Sequence, residues 1–346
     1  MRLDLLERIR ARPWGFALLL TVVLLIANQL ARSSFAAWSS WPANLADFAP
    51  FALAAMATTP AVLSGGGGID ISIGPLLNLV SVMVVGILIP HGLGSIWVAV
   101  PITVALGALV GAINGVLVGV FRFQAVLATL CGLFVLTGVG LAILAEPTSG
   151  TVGWLTSLGN KVGPVPGGLI MILIPIGVWV ALGRTAFRRS LYSVGGDDLA
   201  AYSAGVNVRA VRIVAYTIGG VFAALAGIAL AAATQSADPN QATQYTLPAI
   251  AAVAIGGTSL LGGRGSLVGS ILGAAIMFML QTLLDSLAVN SNWLQVAYGV
   301  ILIGALVLSY YLSAGPNRRP GSATAPAKPA PGQAASVSDS MEVPAR

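Results

Sequence analysis

The chain has 346 residues, 57% of them hydrophobic and only 8% charged. A water-soluble domain carries about 25% charged residues, so a soluble enzyme, a nucleic-acid binder and a disordered protein are all disfavoured, and the sequence reads as a polytopic membrane protein. The net charge of +6 then matters through where the charges sit, and no nucleic-acid partner is expected.

In chain order, windows able to cross ~30 Å of hydrocarbon fall at 14–30, 48–64, 71–89, 96–118, 125–145, 167–183, 213–233, 245–261, 267–284 and 294–312. The expected fold is all-α, a membrane helix bundle of about ten segments, with the shorter windows either spanning or re-entrant. All 28 charged residues lie outside these windows. With the N-terminus inside, 15 of the 17 Lys and Arg face the cytoplasm and only Arg32 and Lys161 face out. That asymmetry follows the positive-inside rule and puts both termini in the cytoplasm. The expected organisation is a cytoplasmic N-terminus at 1–13, a transmembrane domain at 14–312 with a cytoplasmic loop at 184–212, and a tail at 313–346. Six prolines and seven alanines from Gly315 onward make that tail a disordered cytoplasmic extension. Arg2, Arg8, Arg10 and Arg12 before an apolar run also resemble a leader, but the run is long enough to stay as the first membrane helix.

Gly107, Gly111, Gly115 and Gly119 are spaced by four on the fourth segment, as are Gly269 and Gly273 on the ninth. Small residues at that spacing let helix backbones approach closely; packing within one subunit is expected over a dimer face. Cys131, the single cysteine, excludes an intrachain disulfide and is expected as a small core residue. His91 is the single histidine, so no His-based metal site or Ser-His-Asp triad can be assembled. No GxxxxGK[ST] phosphate loop occurs, so ATP-driven transport would need another chain for hydrolysis. The chain is therefore expected to be a transport subunit and not an enzyme, with no catalytic or metal-binding residues and no cofactor of its own. No ionisable residue falls in mid-span, which argues against an ion-coupled carrier; Asp70, Arg264 and Asp285 stand at segment ends.

Three segments carry the remaining information. The run from Gly65 to Pro75 breaks the backbone with four glycines; Asp70 or Ser72 can cap the following helix, with Pro75 in its first turn. It reads either as a capped tight turn or as a broken element beside the solute path. The run from Gly256 to Ser266 repeats the device, and paired breaks in two halves of a transporter point to its working region. Candidate path residues are Gly67, Gly68, Asp70, Ser72, Gly257, Thr258 and Ser259, with the polar Asn78, Asn114, Gln124 and Thr129; interhelical hydrogen bonding is the expected role of those last four. In the loop at 184–212, Gly195 and Gly196 open a turn, Asp197 caps a short helix with Asp198 in its first turn, and Gly205 ends it. Asn207 is expected to accept a left-handed conformation. Leu199 and Tyr202, three apart, present one face suited to docking in another protein's groove.

At these segments the sequence resembles the permease subunits of bacterial ABC importers of the ribose-type, or monosaccharide, family. The run Gly67 to Gly74 is similar to that family's Gly-Gly-Ile-Asp-Leu-Ser-Val-Gly pattern. Tyr192 to Asp197 through Ala204, Gly205, Val206, Asn207 and Val208, a stretch that includes Ala201, resembles its cytoplasmic signature loop, and Gly256 to Ser266 its late glycine motif. The resemblance implies a permease for a monosaccharide or similar polar solute in the bacterial inner membrane; branched-chain amino acids or nucleosides are the alternative cargo. It also implies a homodimer or a pair with a paralogous permease, two ABC ATP-binding subunits carrying ATP and Mg, a periplasmic or lipid-anchored solute-binding protein, and surrounding membrane lipid. The signature loop would be the coupling helix. An ion-coupled secondary transporter is the reading from a different class.

Overall fold

The computed structural model describes residues 14–304, apart from 242, 290–292, 294 and 301–302. The expected N-terminal stretch 1–13, the tail 313–346 and the greater part of the tenth window lie outside the described residues. Twelve helices are described: α1 Gly15–Ala31, α2 Trp41–Leu63, α3 Ile73–Val82, α4 Ile96–Gly119, α5 Ala125–Ile143, α6 Gly153–Gly159, α7 Gly167–Leu182, α8 Ala186–Gly196, α9 Asp198–Ser203, α10 Val208–Thr234, α11 Thr246–Ile255 and α12 Leu267–Ser286. Two-residue strands form only small ladders, Thr148–Ser149 against Ser236–Ala237 and Lys161–Val162 against Val165–Pro166. The molecule is a helical membrane bundle.

Among the described residues five helical stretches are long and apolar enough to cross a membrane, six if α7 and α8, bent by 87°, count as one. Five of the ten hydropathy windows fall on these stretches, while 14–30 and 167–183 fall on α1 and α7, only 17 and 16 residues long, and two further windows depart more strongly. The window 245–261 is helical only over the ten residues of α11, about 15 Å at 1.5 Å per residue, half the depth of the hydrocarbon. The third window is α3 followed by a single π-helical stretch, Met83–Leu88. Both fall short of a full span for the same reason: each abuts a glycine break that ends regular hydrogen bonding.

Helix α10 is the hub, packing against α4, α2 and α3, while α12 packs against α11, α1 and α2. The α4–α10 contact is built by the predicted glycine stripe. A Cβ at Gly107 would strike the Gly220 carbonyl oxygen, one at Gly111 the Tyr216 carbonyl oxygen, and one at Gly115 would lie 2.7 Å from the Ile213 Cα. Gly269 and Gly273 meet the carbonyl oxygens of Gly256 and Ala252 in the same way. Both stripes are thus spent on packing within the chain, as expected, because only glycine lets two backbones come this close. The outer faces of α4 and α5 remain apolar and exposed at Leu109, Ile113, Leu127 and Phe134. Cys131 lies exposed on α5, not in the core as expected; a membrane helix can point apolar residues outward as readily as inward, so hydropathy alone does not give the buried face.

Charges also sit deeper in the helices than the windows allowed. Asp47 lies inside α2 and Asp285 in the last turn of α12, and Arg209 and Arg212 occupy the first turns of α10. Hydropathy trims a predicted span at its first charge, whereas a real helix continues past the hydrocarbon into the polar boundary.

Candidate functional site

The three informative segments meet at one end of the bundle. α2 ends at Leu63, and the chain passes through Gly65, Gly66 and Gly67, all at positive φ, before α3 begins. A Cβ on Gly65 would lie 2.8 Å from the Cα of Gly195, the penultimate residue of α8. A Cβ on Gly195 would collide with the Leu63 carbonyl oxygen, and one on Gly262 with the Cα of Gly65. The Gly263 N–H donates to that same Leu63 carbonyl at 3.2 Å, and the Tyr192 hydroxyl donates to the Gly265 carbonyl at 2.9 Å. Both glycine breaks and the end of α8 therefore form one backbone junction, a contact that side chains would hold apart.

From this junction the loop turns into α9. Asp197 caps it, accepting from the Ala200 N–H at 2.9 Å, and Asp198 stands in its first turn. Ala201 is buried beneath, whereas Leu199 and Tyr202 are 77% and 72% exposed. A six-residue helix thus leaves a large apolar pair on the outside. Gly205 leaves the helix at φ 84°, and Val206 packs at the edge of the core. Asn207 does not take the left-handed conformation expected of it. It has φ −76° and caps α10, accepting from the Ala210 N–H at 3.1 Å; an apolar helix starting one residue later needs an acceptor more than a turn. The sequence reading also missed α8 itself, which lies within the loop 184–212 and carries Arg188 over the rings of Trp179 and Tyr192 at 5.9 Å.

Beside the junction, the first break ends in a buried polar cluster. The Asp70 carboxylate accepts from the Ser72 N–H at 2.9 Å and from its hydroxyl at 2.6 Å. The Asn114 amide donates to Ser72 Oγ at 2.8 Å, and Thr129 Oγ1 accepts from the Ile71 N–H at 3.1 Å. Burial pushes the Asp70 carboxyl above its ordinary range, opposed by the hydrogen bonds from Ser72 and Asn114. Asp70 thus braces the turn into α3, and Ser72 makes no side-chain cap of its own. Gly67, Gly68, Asp70, Ser72, Asn114 and Thr129 are brought together. Asn78 is elsewhere along α3, bound to the Pro239 carbonyl at 3.2 Å, and Gln124 is exposed at the start of α5. In the second break Gly257, Thr258 and Ser259 form a turn. Thr258 is buried and accepts from the Ser266 N–H at 3.4 Å, while the Ser259 N–H donates to the Arg264 carbonyl at 2.9 Å.

At the opposite ends of α2, α10 and α12, a cavity of about 180 Å³ is lined by Asp47, Phe51, Thr234, Tyr245, Gln281 and Asp285, among others. Asp47 escaped the sequence reading, although a lone carboxylate inside an apolar helix is itself a signal.

The family described as branched-chain amino acid transport system / permease component matches residues 43–308. The ribose import permease protein RbsC of Escherichia coli (strain K12) is 35% identical over 268 residues, 74% of this chain and 81% of that protein. RbsC of Bacillus subtilis (strain 168) is 35% identical over 260 residues, 72% and 78% of the two chains. The autoinducer 2 import system permease protein LsrC of Enterobacter sp. (strain 638) is 36% identical over 244 residues, 69% and 70%. No solved structure matches. With a family match across the bundle and relatives of this identity along most of both chains, the chain belongs to the family of transport-system permease components described for branched-chain amino acids.

Proposed function

We propose that this permease imports a monosaccharide or similar polar solute across the bacterial inner membrane, driven by ATP hydrolysed on a separate ABC subunit. The single observation that carries this reading is α9, a capped helix whose two large side chains, Leu199 and Tyr202, face away from the bundle. Tyr192, Gly195, Gly196, Asp197, Asp198, Ala201, Gly205, Val206 and Asn207 hold that helix in place. Both termini and α9 lie on the cytoplasmic side in this reading, which the distribution of Lys and Arg supports. A solute-binding protein would deliver cargo at the opposite face. A second copy or a paralogous permease would cover the exposed faces of α4 or α5, since the Gly107–Gly119 stripe is already occupied.

Mechanically, ATP-driven closure of the partner pair displaces α9 as a rigid body. The motion passes through α8 to the glycine junction and so to α3 and α12. The ribose-importing relatives favour a sugar as cargo, while the family description favours an amino acid. Binding assays on the partner solute-binding protein separate the two. The docking face is tested by reconstitution with the ATPase. Leu199→Asp with Tyr202→Asp abolishes uptake and the hydrolysis that loaded binding protein stimulates; if both survive, α9 is not the coupling helix.

A further inference from the structure

Two buried donors near α9 have no hydrogen-bond partner: Nε of Arg212 and the hydroxyl of Tyr216. They are successive residues on one face of α10, four apart. Arg212 is 14% exposed, and its Nη2 binds the Asp198 carboxylate of α9 at 2.9 Å, the one ion pair among the described residues. The same guanidinium covers the first break, since a Cβ on Gly66 would lie 2.8 Å from Arg212 Nη2. Tyr216 is fully buried in a cluster with Ala61, Ala125 and Ala128, and the Ala61 carbonyl oxygen lies against Gly68 of the first break. Asp70 in turn holds Ser72 at the head of α3. Arg212 and Tyr216 thus stand between the exposed α9 and the break that carries Asp70.

An unpaired buried donor costs about 1–3 kcal/mol, and two side by side on a hub helix are a stored imbalance that a second arrangement would relieve. We propose that Arg212 and Tyr216 are positioning residues of a two-state relay. In the arrangement described here Asp198 holds Arg212. When α9 is displaced, the Arg212 and Tyr216 donors turn to the Asp70 carboxylate and shift the head of α3. The relay deepens the coupling reading above and rests on α9 being the docking helix.

The test is hydrogen exchange on the assembled permease–ATPase complex, nucleotide-free and ATP-bound, which needs no knowledge of the cargo. In the wild type, ATP changes exchange both in α9 and at 65–72. Tyr216→Phe removes only an unpaired hydroxyl, so a purely structural role predicts equal or higher thermal stability and an unchanged response. The relay predicts equal or higher stability together with loss of the ATP response at 65–72, while the response in α9 persists. The lost response corresponds to about a tenfold change in local opening, the worth of one charge-assisted bond. Arg212→Gln gives the same uncoupling, Arg212→Lys restores it in part, and the double variant with Asp198→Asn is no worse than Arg212→Gln alone. Wild-type response at 65–72 in Tyr216→Phe or in Arg212→Gln overturns the relay. Absence of any ATP response in α9 of the wild type overturns the docking reading and the relay with it.

Discussion

Two stretches of this chain are punctuated alike, with glycines, a hydroxyl residue and then an apolar helix, yet the structure uses them differently. The break at 65–72 closes on a buried carboxylate that accepts two hydrogen bonds and is linked through Ser72 to Asn114 on α4. The break at 256–266 is a turn that meets the rest of the junction through backbone, with Leu261 83% exposed and Ser266 capping α12 through the Gly269 N–H at 3.1 Å. Glycine density fixes where the backbone departs from helix in both. What each break becomes depends on its neighbours: α4 and α5 bring amide and hydroxyl groups to the first, while the second lies at the rim. The first is therefore held by buried side-chain hydrogen bonds, the second by backbone contacts.

Substitutions can break this contrast, beginning with the shared junction. Gly65→Ala and Gly262→Ala each force a Cβ into backbone at positive φ, and overpacking plus left-handed strain costs about 3–5 kcal/mol. Gly67→Ala at φ 69° meets nothing within 4 Å and costs only about 1–2 kcal/mol. Thermal unfolding in detergent that ranks Gly67→Ala with the other two would show that strain, not contact, holds the junction. Next in size, Asp70→Ala strands the Ser72 N–H and hydroxyl and costs about 2–3 kcal/mol, whereas Arg264→Ala in the exposed second turn stays within about 0.5 kcal/mol. Ser266→Ala removes a cap, about 1 kcal/mol, and should loosen exchange in α12 without touching α3.

The contrast also has a pH signature. Burial raises the folded-state value of Asp70 above the ordinary 3.8, so the folded chain holds this proton more tightly than the unfolded chain does. Its contribution to stability is full below pH 3.8 and is lost as pH rises through the folded value. Wild type measured against Asp70→Asn should therefore gain relative stability as pH is lowered from neutral toward 3.8. A constant difference across that range would mean that the carboxylate is solvated. No such trend is expected for variants confined to 256–266.

Much of this was legible in the chain because it is written in local terms. Apolar windows gave the helices, Asp197 and Ser266 gave caps, and the spacing of Leu199 and Tyr202 gave an exposed pair. Asn207 was misjudged because turn and cap use the same side chain, and the next helix decides between them. Asp47 was hidden because hydropathy ends a span at its first charge, although the helix runs on. Cys131 was misplaced since lipid and protein interior are equally apolar, so composition cannot say which face is covered.

By itself, then, the sequence determined that this is a helical membrane protein, where its backbone breaks, and which short helix stands free. Those properties depend on transfer to hydrocarbon, hydrogen-bond geometry and the missing Cβ of glycine, each a matter of a few consecutive residues. Only the tertiary structure decided that Gly65, Gly195 and Gly262 touch one another, that Asp70 lies buried against Ser72 and near Asn114, and that Arg212 bridges α9 to the first break. Such contacts join residues tens to hundreds of positions apart, and their energies depend on which surfaces the packed helices exclude from one another.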